Sequence, residues 1–236
     1  MTKDNHNILP AAEEKMITVR SMFDSIAVDY EKLNSYMTFG MDRGWRKKLL
    51  EHLGAKPNST VLDVGCGTGD LIRELQKHNI KAIGIDLSFN MIKQNRALGN
   101  IVQGIAEQLP FRDDSLDGLV SGFSLRNFVN LKDFFKECYR VVKPGGRIAL
   151  LDIAEPRLPV IKEVHDLWFK KCIPAIGGIL SDKKAYSYLP ASTVYLPDRQ
   201  TLLSMLNEQG FLGSGHKQLF FGTVQILDAT VPVFKH

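Results

Sequence analysis

The chain has 236 residues, of which 44% are hydrophobic and 24% charged, with a net charge of +4. These values are typical of a globular protein of one domain, and the mild positive charge requires neither a membrane nor a nucleic acid. No apolar run reaches spanning length, and residues 1–15 lack the apolar stretch of a signal peptide. The chain has three cysteines, Cys66, Cys138 and Cys172. Their odd number argues against a disulfide framework and for a reducing, cytoplasmic compartment.

Two helices are predicted before the first strand. Apolar residues recur at helical spacing from Ala12 to Tyr30, and this segment precedes the core, so it can cover a cleft. A second helix begins near Asp42, a plausible N-cap, and ends before Gly54, which suits a C′ position. Four basic side chains of that helix are interpreted as a solvated outer face: Arg43, Arg46, Lys47 and Lys48.

The stretch VLDVGCGTGD, residues 61–70, reads as a strand, a glycine turn and the start of a helix. Glycine tolerates positive φ and lets a ligand approach the backbone closely. A dinucleotide-binding turn has the spacing G-x-G-x-x-G. Here the spacing is G-x-G-x-G, with Asp63 two residues ahead, which suits a ligand without phosphate: an amino acid joined to a nucleoside.

A second acidic residue supports this interpretation. Residues 82–88, AIGIDLS, read as a buried strand that ends in Asp86. This carboxylate follows the glycine turn by about twenty residues, where the architecture places the acceptor for the ribose hydroxyls. A purely structural glycine turn in another α/β protein is the competing interpretation, and the combination of motif, acid and spacing makes it the less favoured one.

The rest of the chain alternates strands with helices, which predicts a parallel sheet with right-handed crossovers. The expected fold is α/β: a doubly wound, Rossmann-like, seven-stranded and mostly parallel sheet with an antiparallel C-terminal edge pair. After the second strand, we predict a helix that is capped by Ser88 and runs to about Leu98, then a third strand and a fourth strand at Leu116–Phe123. A further helix and a fifth strand after Gly146 follow. The last predicted elements are helices at Pro159–Ile173 and from Asp198 to Gly210, and two short strands at Lys217–Leu227.

All the residues are assigned to one domain with four parts. Residues 1–55 form an N-terminal helical cover, and residues 56–153 form a ligand-binding core. Residues 154–197 form a helical insertion after the fifth strand, which we expect to act as an acceptor lid. Residues 198–236 form the C-terminal helix and the edge hairpin.

Several motifs occur in an order that resembles the polyprenyl-quinone C-methyltransferases, which belong to the class I S-adenosylmethionine (SAM) methyltransferases. The glycine motif is generic to class I, whereas FSLRNF at 123–128, AYSYLP at 185–190 and YLPDRQ at 195–200 are far more specific. The resemblance extends from about Arg20 to Leu227. It implies a class I methyltransferase fold, SAM as the cofactor, and C-methylation of demethylmenaquinol or a related benzoquinol.

Three positions depart from the usual sequence of that family. After the third strand the family has Gly-Asp-Ala or Gly-Asn-Ala, whereas this chain has Ile105, which cannot accept a hydrogen bond from the adenine amino group. Asp152 replaces the usual Glu after the fifth strand, and Ser124 replaces Gly in the FSLRNF motif. We therefore expect adenine recognition to rely on apolar contacts from Ile105, Leu87 and Met91, and on backbone groups.

The motif and the resemblance together predict a cofactor site at the carboxyl edge of the sheet. Strands of this fold present their ligands there. No cluster of cysteine and histidine has metal-ligand spacing, so no metal is expected. The predicted cofactor-binding residues are Asp63, Gly65, Gly67, Thr68, Asp86, Leu87, Met91, Ile105, Ala106 and Gly122.

Four residues are candidates for catalysis: Arg126, Asn127, Tyr30 and Asp152. C-methylation needs a ring carbon made electron-rich by an ionised hydroxyl, and Arg126 offers a permanent cation for that oxyanion, with Asn127 as a second donor. Asp152 and Tyr30 are candidates for removing the proton, whereas His165, alone on its helix, is interpreted as structural or solvated. From position alone, an ion pair that merely ties the loop down is an equal interpretation of Arg126.

The implied acceptor carries an isoprenoid tail. Residues 167–184 combine aromatic and aliphatic side chains with lysines, as membrane-interface segments do, although an apolar cap packed on the domain is slightly favoured. The sequence is compatible with a peripheral membrane contact and with a homodimer, and it lacks the aromatic-basic stripe of nucleic-acid binding. Two other functions stay open: an O- or N-methyltransferase of another small molecule, and a SAM-binding scaffold without turnover.

Overall fold

The computed structural model describes residues 12–97, 99–156, 158–172, 188 and 190–234. The N-terminal helices are α1 (Ala12–Ile26), α2 (Tyr30–Met37) and α3 (Asp42–Leu53). The core comprises β1 (Thr60–Val64), α4 (Asp70–Lys77), β2 (Lys81–Asp86), α5 (Phe89–Lys93), β3 (Asn100–Gln103), β4 (Leu116–Gly122), α6 (Leu131–Val141) and β5 (Val142–Ile153). The C-terminal part comprises α7 (Pro159–Leu167), a π-helical turn (Trp168–Cys172), α8 (Arg199–Glu208), β6 (Leu212–Leu219) and β7 (Val224–Thr230). Short 3-10 turns lie at Leu125–Asn127, Ser192–Tyr195 and Phe220–Gly222.

The seven strands of the described residues form one sheet in the order β3-β2-β1-β4-β5-β7-β6. The first five of these strands are parallel, and β7 runs antiparallel to both β5 and β6. This confirms the predicted doubly wound sheet with its antiparallel edge pair. From β1 the chain adds β2 and β3 on one side, and it then returns to add β4 and β5 on the other side of β1. Ligands of such sheets bind in the crevice outside the carboxyl ends of the strands, at the point where the strand order reverses.

Apolar side chains cover both faces of the sheet. Phe134 and Phe135 of α6 are fully buried in one cluster, and Leu49 of α3 and Leu75 of α4 are fully buried in a second. Burial of one such side chain contributes about 1.5–3 kcal/mol. The strands are therefore held firmly, and the loops at their carboxyl ends have a rigid base.

Several predicted helix boundaries are confirmed. The Ser88 side chain caps α5 by accepting a hydrogen bond from the backbone N–H of Met91, and Asp198 caps α8. Gly54 ends α3 with φ at +62°. The helix after Ser88 ends at Lys93 rather than near Leu98, because the Asn95 side chain accepts a hydrogen bond from the Ala97 N–H, which a longer helix would bond to a backbone carbonyl.

Two predictions for the N-terminal helices were wrong. The single helix expected from Ala12 to Tyr30 is two helices, separated by a turn at residues 27–29. Asp42 does not cap α3, since its carboxylate accepts a hydrogen bond from the Thr38 hydroxyl at 3.0 Å and pairs with Arg46 at 2.8 Å. Arg46 is accordingly buried rather than solvated, whereas the other three basic residues of α3 are exposed.

The C-terminal elements differ in length from their predictions. The helix expected at Pro159–Ile173 is α-helical only to Leu167 and continues as a π-helical turn to Cys172. Most of the apolar and lysine-bearing stretch, residues 173–184, lies outside the described residues. The edge strands are longer than expected and extend from Leu212 to Thr230. Among the described helices, none combines the length and apolarity needed to cross a bilayer.

Candidate active site

The glycine turn joins β1 to α4 at the carboxyl edge of the sheet. The backbone N–H groups of Gly65 and Cys66 donate hydrogen bonds to the Ile85 carbonyl of β2, at 2.8 and 3.1 Å. Gly65 has φ at +74°, and a Cβ there would overlap the Ser124 side chain. Glycine is therefore required at this position both for the backbone angle and for space.

Asp86 ends β2 and faces the glycine turn. Its Oδ2 accepts a hydrogen bond from the Gly67 N–H, and its Oδ1 accepts one from the Ser88 N–H, both at 2.8 Å. Burial raises the pKa of this carboxyl to about 6, and the two backbone bonds oppose the rise. Since each carboxylate oxygen has more than one acceptor position, the fixed group can still accept hydrogen bonds from ligand hydroxyls.

Asp63, near the end of β1, is a buried carboxylate without a partner. Its side chain is 1% exposed, and among the described residues neither of its oxygens has a hydrogen-bond partner. Burial and then the neighbouring Asp86 raise the pKa of Asp63 well above its usual range, and Arg46 opposes them. An unpaired buried charge is costly, so this site suits the cationic group of a ligand.

These residues line one cleft, which we call the polar cleft. Its apolar side is formed by Ile105 and Ala106 after β3 and by Leu87 and Met91 around the start of α5. The cleft brings together all ten sequence-predicted cofactor-binding residues: Asp63, Gly65, Gly67, Thr68, Asp86, Leu87, Met91, Ile105, Ala106 and Gly122.

Helix α1 also lines the polar cleft and is held in place by polar contacts. Asp24 accepts hydrogen bonds from the Ser88 hydroxyl at 2.5 Å and from the Asn90 N–H at 3.1 Å. Lys15 donates to the Phe128 carbonyl at 2.5 Å, and burial lowers its pKa to about 8. Four residues of α1 reach the cleft: Met16, Val19, Arg20 and Phe23.

A network of ion pairs, which the sequence analysis missed, lies beside the polar cleft. Arg46 pairs with Asp70 at 2.6 Å, and Asp70 also pairs with Arg73. Glu31 of α2 then pairs with Arg73 at 3.1 Å and with Arg96 at 3.2 Å. The i,i+4 spacing of Asp42 and Arg46 was the available signal that α3 has a charged face turned inward.

A second cavity, of about 670 Å³, meets the polar cleft at Tyr30 and Phe123, which line both spaces. We call it the aromatic cavity because most of its wall is aromatic or aliphatic. Two of its residues, Trp45 and Phe220, have ring centroids 6.0 Å apart and connect α3 with the edge hairpin. The remaining described wall residues are Asn34, Met37, Thr38, Phe39, Met41, Arg126, Ile153, Val160, Ile161, Val164, His165, Trp168, Phe169, Phe221, Thr223 and Val224.

The backbone around the aromatic cavity is strained at four phenylalanines. Phe39, Phe123, Phe220 and Phe221 have φ angles of +52°, +60°, +43° and +54°, and all four line the cavity. Bulky side chains rarely adopt positive φ, and such strain concentrates at functional sites, where the surrounding structure holds it. Phe123 begins the FSLRNF motif, whereas no sequence pattern indicated Phe220 and Phe221, which the edge hairpin supplies from a distant part of the chain.

Arg126 lines the aromatic cavity and is paired with Asp152. One guanidinium nitrogen, Nη1, pairs with Asp152 Oδ1 and donates to the Phe123 carbonyl at 2.8 Å. Its Nε donates to the Ser192 hydroxyl at 3.2 Å, while Asp152 is fully buried and lines neither space. The arrangement thus contains both features that the sequence analysis weighed, an ion pair that fixes the loop and a cation in the cavity wall.

The two remaining catalytic candidates, Asn127 and Tyr30, lie in different parts of the site. Asn127 lines the polar cleft but not the aromatic cavity, and its buried Oδ1 has no hydrogen-bond partner in the described part of the chain. Tyr30, the first residue of α2, lies where the two spaces meet. Burial raises the pKa of the Tyr30 hydroxyl, and the charges of Arg46 and Arg126 oppose this rise.

Comparison with known proteins identifies related sequences over nearly the whole chain. The sequence model of the ubiE/COQ5 methyltransferase family matches residues 10–230. A demethylmenaquinone methyltransferase of Desulfitobacterium hafniense is 37% identical over 94% of this chain and 93% of its own length. A ubiquinone/menaquinone biosynthesis C-methyltransferase UbiE of Geotalea daltonii is 36% identical over 90% of this chain and 96% of its own length.

Solved structures with the same fold are more distant in sequence. The crystal structure of a SAM-dependent methyltransferase from Thermotoga maritima superposes with a TM-score of 0.63 and covers 90% of this chain and 99% of its own chain. At 18% identity this similarity concerns the fold alone. It agrees with the class I methyltransferase fold that the sequence predicted.

Proposed function

The chain belongs to the ubiE/COQ5 methyltransferase family, and we propose that it uses SAM to methylate a ring carbon of a polyprenyl quinol, demethylmenaquinol or a related benzoquinol. The observation that carries this proposal is the meeting of two unlike spaces at Tyr30 and Phe123. The polar cleft suits a charged amino acid joined to a nucleoside, and the aromatic cavity suits a lipophilic ring. The names of the two bacterial relatives support the same acceptor class.

Residues of the polar cleft fit the parts of SAM. The unpaired carboxylate of Asp63 would receive the α-ammonium group, and Asp86 would accept hydrogen bonds from the ribose hydroxyls. Ile105, Leu87 and Met91 would contact the adenine ring. When bound, the cofactor supplies a methyl group made electrophilic by its sulfonium, so the protein has to position the nucleophile and exclude water.

The aromatic cavity would orient the quinol against the junction of the two spaces. Arg126 would stabilise the ionised hydroxyl that makes the ring carbon nucleophilic. Asp152, buried behind Arg126, is placed to hold the guanidinium in one orientation. Tyr30 would form the wall at the transfer point, with Asn127 as a donor from the side of the polar cleft.

We assign a separate role to each part of the chain. Residues 1–55 would cover the cofactor, since α1 and α2 both line the polar cleft. Residues 56–153 would bind the cofactor. Residues 154–197 would act as the acceptor lid, because α7 and the turn after it supply one wall of the aromatic cavity.

The mouth of the aromatic cavity also suggests a peripheral contact with a lipid bilayer. Five apolar residues that line it remain 46–74% exposed: Phe39, Val160, Val164, Phe220 and Phe221. Apolar side chains around the entrance of a lipid-binding cavity can enter the headgroup region and let a lipophilic substrate pass without crossing water. We expect Phe221→Ser to weaken binding to phosphatidylglycerol vesicles in a flotation assay, with SAM affinity unchanged.

One experiment tests the main proposal. The protein is incubated with methyl-labelled SAM and chemically reduced demethylmenaquinone, and the product is analysed for a new carbon–methyl bond. Labelled menaquinol is the expected result. Label in an ether or amine of another acceptor would instead support O- or N-methylation, and SAM binding without turnover on any quinol would support a scaffold.

A further inference from the structure

Among the described residues that line the aromatic cavity, three have titratable side chains: Tyr30, Arg126 and His165. The proposed reaction needs a group that removes the hydroxyl proton of the acceptor. That group has to lie in the wall of the cavity, because a base must come within hydrogen-bond distance of the proton it takes.

Two of the three are poor proton acceptors at neutral pH. Arg126 stays protonated and is already paired with Asp152. Burial raises the pKa of the Tyr30 hydroxyl, so the phenol keeps its proton. Asp152 itself is fully buried and does not line the cavity. Histidine, in contrast, gains and loses a proton near neutral pH.

Two contacts of the same helical segment fix the position of His165: its own stacking on Phe169 and the hydrogen bond of Trp168 to α2. Its ring stacks on Phe169 with centroids 5.1 Å apart and planes at 17°, and its side chain is 16% exposed. Trp168 donates from its indole nitrogen to the Met37 carbonyl at 3.2 Å, which fastens this part of the chain to α2. The same contact sets His165 and Tyr30 in the wall of one cavity.

We propose that His165 is the general base that removes the hydroxyl proton of the acceptor quinol, an inference that rests on the proposed function. The O–H bond of the quinol breaks, its proton moves to an imidazole nitrogen, and its electron pair stays on oxygen beside Arg126. The ring carbon then forms a bond to the transferred methyl group while the carbon–sulfur bond breaks and its electrons go to sulfur. The ring carbon finally loses its own hydrogen as a proton to water, the C–H electron pair restores the aromatic ring with a phenolate oxygen, and the imidazolium returns its proton to that oxygen.

In the described part of the chain, the charged and titratable groups around His165 come from its own helix and from the cavity wall. Asp166 on its own helix has a carboxylate oxygen 3.8 Å from His165 Nδ1, and Arg126 and Tyr30 line the same cavity. A carboxylate next to the ring favours the protonated imidazole, and a guanidinium disfavours it.

The test is the rate of quinol methylation against pH for wild type, His165→Gln and His165→Phe. Both variants are expected to lose about 10²- to 10⁴-fold in kcat. The acidic limb of the wild-type profile should disappear, and the defect should shrink at high pH, where the quinol ionises unaided. His165→Phe keeps the aromatic stack on Phe169 and is included so that loss of packing is not mistaken for loss of the base.

His78→Gln is the matched control, because His78 is exposed and remote from the cavity lining. It should leave rate and pH profile unchanged. A wild-type profile retained in His165→Gln, whether with full activity or with a lower melting temperature alone, would overturn the assignment. Absence of product from wild type would instead count against the proposed function, so the two failures are distinguishable.

Discussion

The polar cleft and the aromatic cavity are neighbours, yet they are built in different ways. The polar cleft is formed mainly by residues at or directly after the ends of four adjacent strands, β3, β2, β1 and β4, with α1 added on one side. The aromatic cavity is assembled from four separate parts of the chain, near residues 30–45, 123–126, 153–169 and 220–224. A short local motif can therefore specify the cleft, whereas the cavity needs the whole tertiary structure.

The two spaces also hold unfavourable energy in different forms. The cleft contains a buried carboxylate that has no partner among the described residues, and a cationic ligand group can compensate it. The cavity contains four phenylalanines with positive φ, a backbone strain that the surrounding packing holds. Substitutions in the cleft should therefore change cofactor affinity, and substitutions in the cavity should change the rate.

A large effect, on both rate and stability, is expected at Arg126, the cation in the wall of the aromatic cavity. Arg126→Ala should reduce kcat by about 10²- to 10³-fold, since it removes one donor for the oxyanion, while affinity for SAM changes little. It also leaves Asp152 buried and unpaired, which should lower stability by about 3–5 kcal/mol. Calorimetric SAM titration, thermal unfolding and steady-state kinetics on the same protein measure the three quantities.

The double variant Arg126→Met/Asp152→Asn is the control for that experiment. It removes both charges of the buried pair, so it should recover most of the lost stability but none of the activity. Arg126→Lys should recover only part of the rate, because lysine lacks the planar guanidinium. Full activity in the double variant would remove Arg126 from the mechanism.

A smaller effect, on binding, is expected at Asp86. Asp86→Ala should weaken SAM binding by about 1.5–3 kcal/mol through loss of charge-assisted hydrogen bonds. Because burial raises the pKa of Asp86 to about 6, wild-type affinity should also fall as the pH drops through that value and the carboxylate becomes protonated. Titration calorimetry from about one pH unit below that pKa to about two units above it checks both, and an affinity independent of pH in wild type would contradict the assignment.

At Asp63, in the polar cleft, a substitution should lower the affinity for SAM but raise the stability of the ligand-free protein. The raised pKa of Asp63 means that the folded protein binds this proton more tightly than the unfolded chain. The stability that Asp63 contributes is therefore present below its unfolded pKa and is lost as the pH rises from there through the raised folded pKa. At neutral pH the ionised carboxylate is unfavourable in the folded protein. Asp63→Asn should raise the melting temperature of the ligand-free protein by about 2–4 °C, which corresponds to about 1 kcal/mol.

The same variant should bind SAM more than tenfold less tightly, because the ammonium group loses its charged partner, worth about 1.5–3 kcal/mol. Thermal unfolding with and without SAM measures both changes. A variant that is less stable than wild type without ligand would show that the unpaired carboxylate is not a source of instability.

The smallest effect is expected at Ile105. Ile105→Asp adds an acceptor for the adenine amino group, a gain of about 0.5–1.5 kcal/mol, but removes apolar contact with the ring. We expect SAM affinity to change by less than about threefold, since each such hydrogen bond is modest. Calorimetry checks this, with Ile105→Leu as the control for packing. A much larger gain would mean that the missing acceptor reduces affinity in the natural chain.

The fold, and the grouping of the predicted cofactor-binding residues in one cleft, could be predicted from the sequence. Periodicity and glycine spacing act over a few residues, and a parallel sheet brings the ends of its adjacent strands to one edge whatever the remaining chain does. For that reason the sequence alone is enough to place Asp63, Gly65, Asp86 and Ile105 at one edge of the sheet, and all four line the polar cleft.

The arrangement of the aromatic cavity, where we propose that the acceptor binds, could not be predicted from the sequence and depends on the tertiary structure. Arg126 could be assigned to an edge of the sheet, but its buried partner Asp152 comes from another strand. Phe220 reaches Trp45 only because β7 pairs with β5 and turns the edge hairpin towards α3. His165 has the sequence pattern of a solvated helical residue, and it is the contact of Trp168 with Met37 that sets its helix beside the cavity. Contacts between residues far apart in sequence depend on packing of whole elements, which no local pattern encodes.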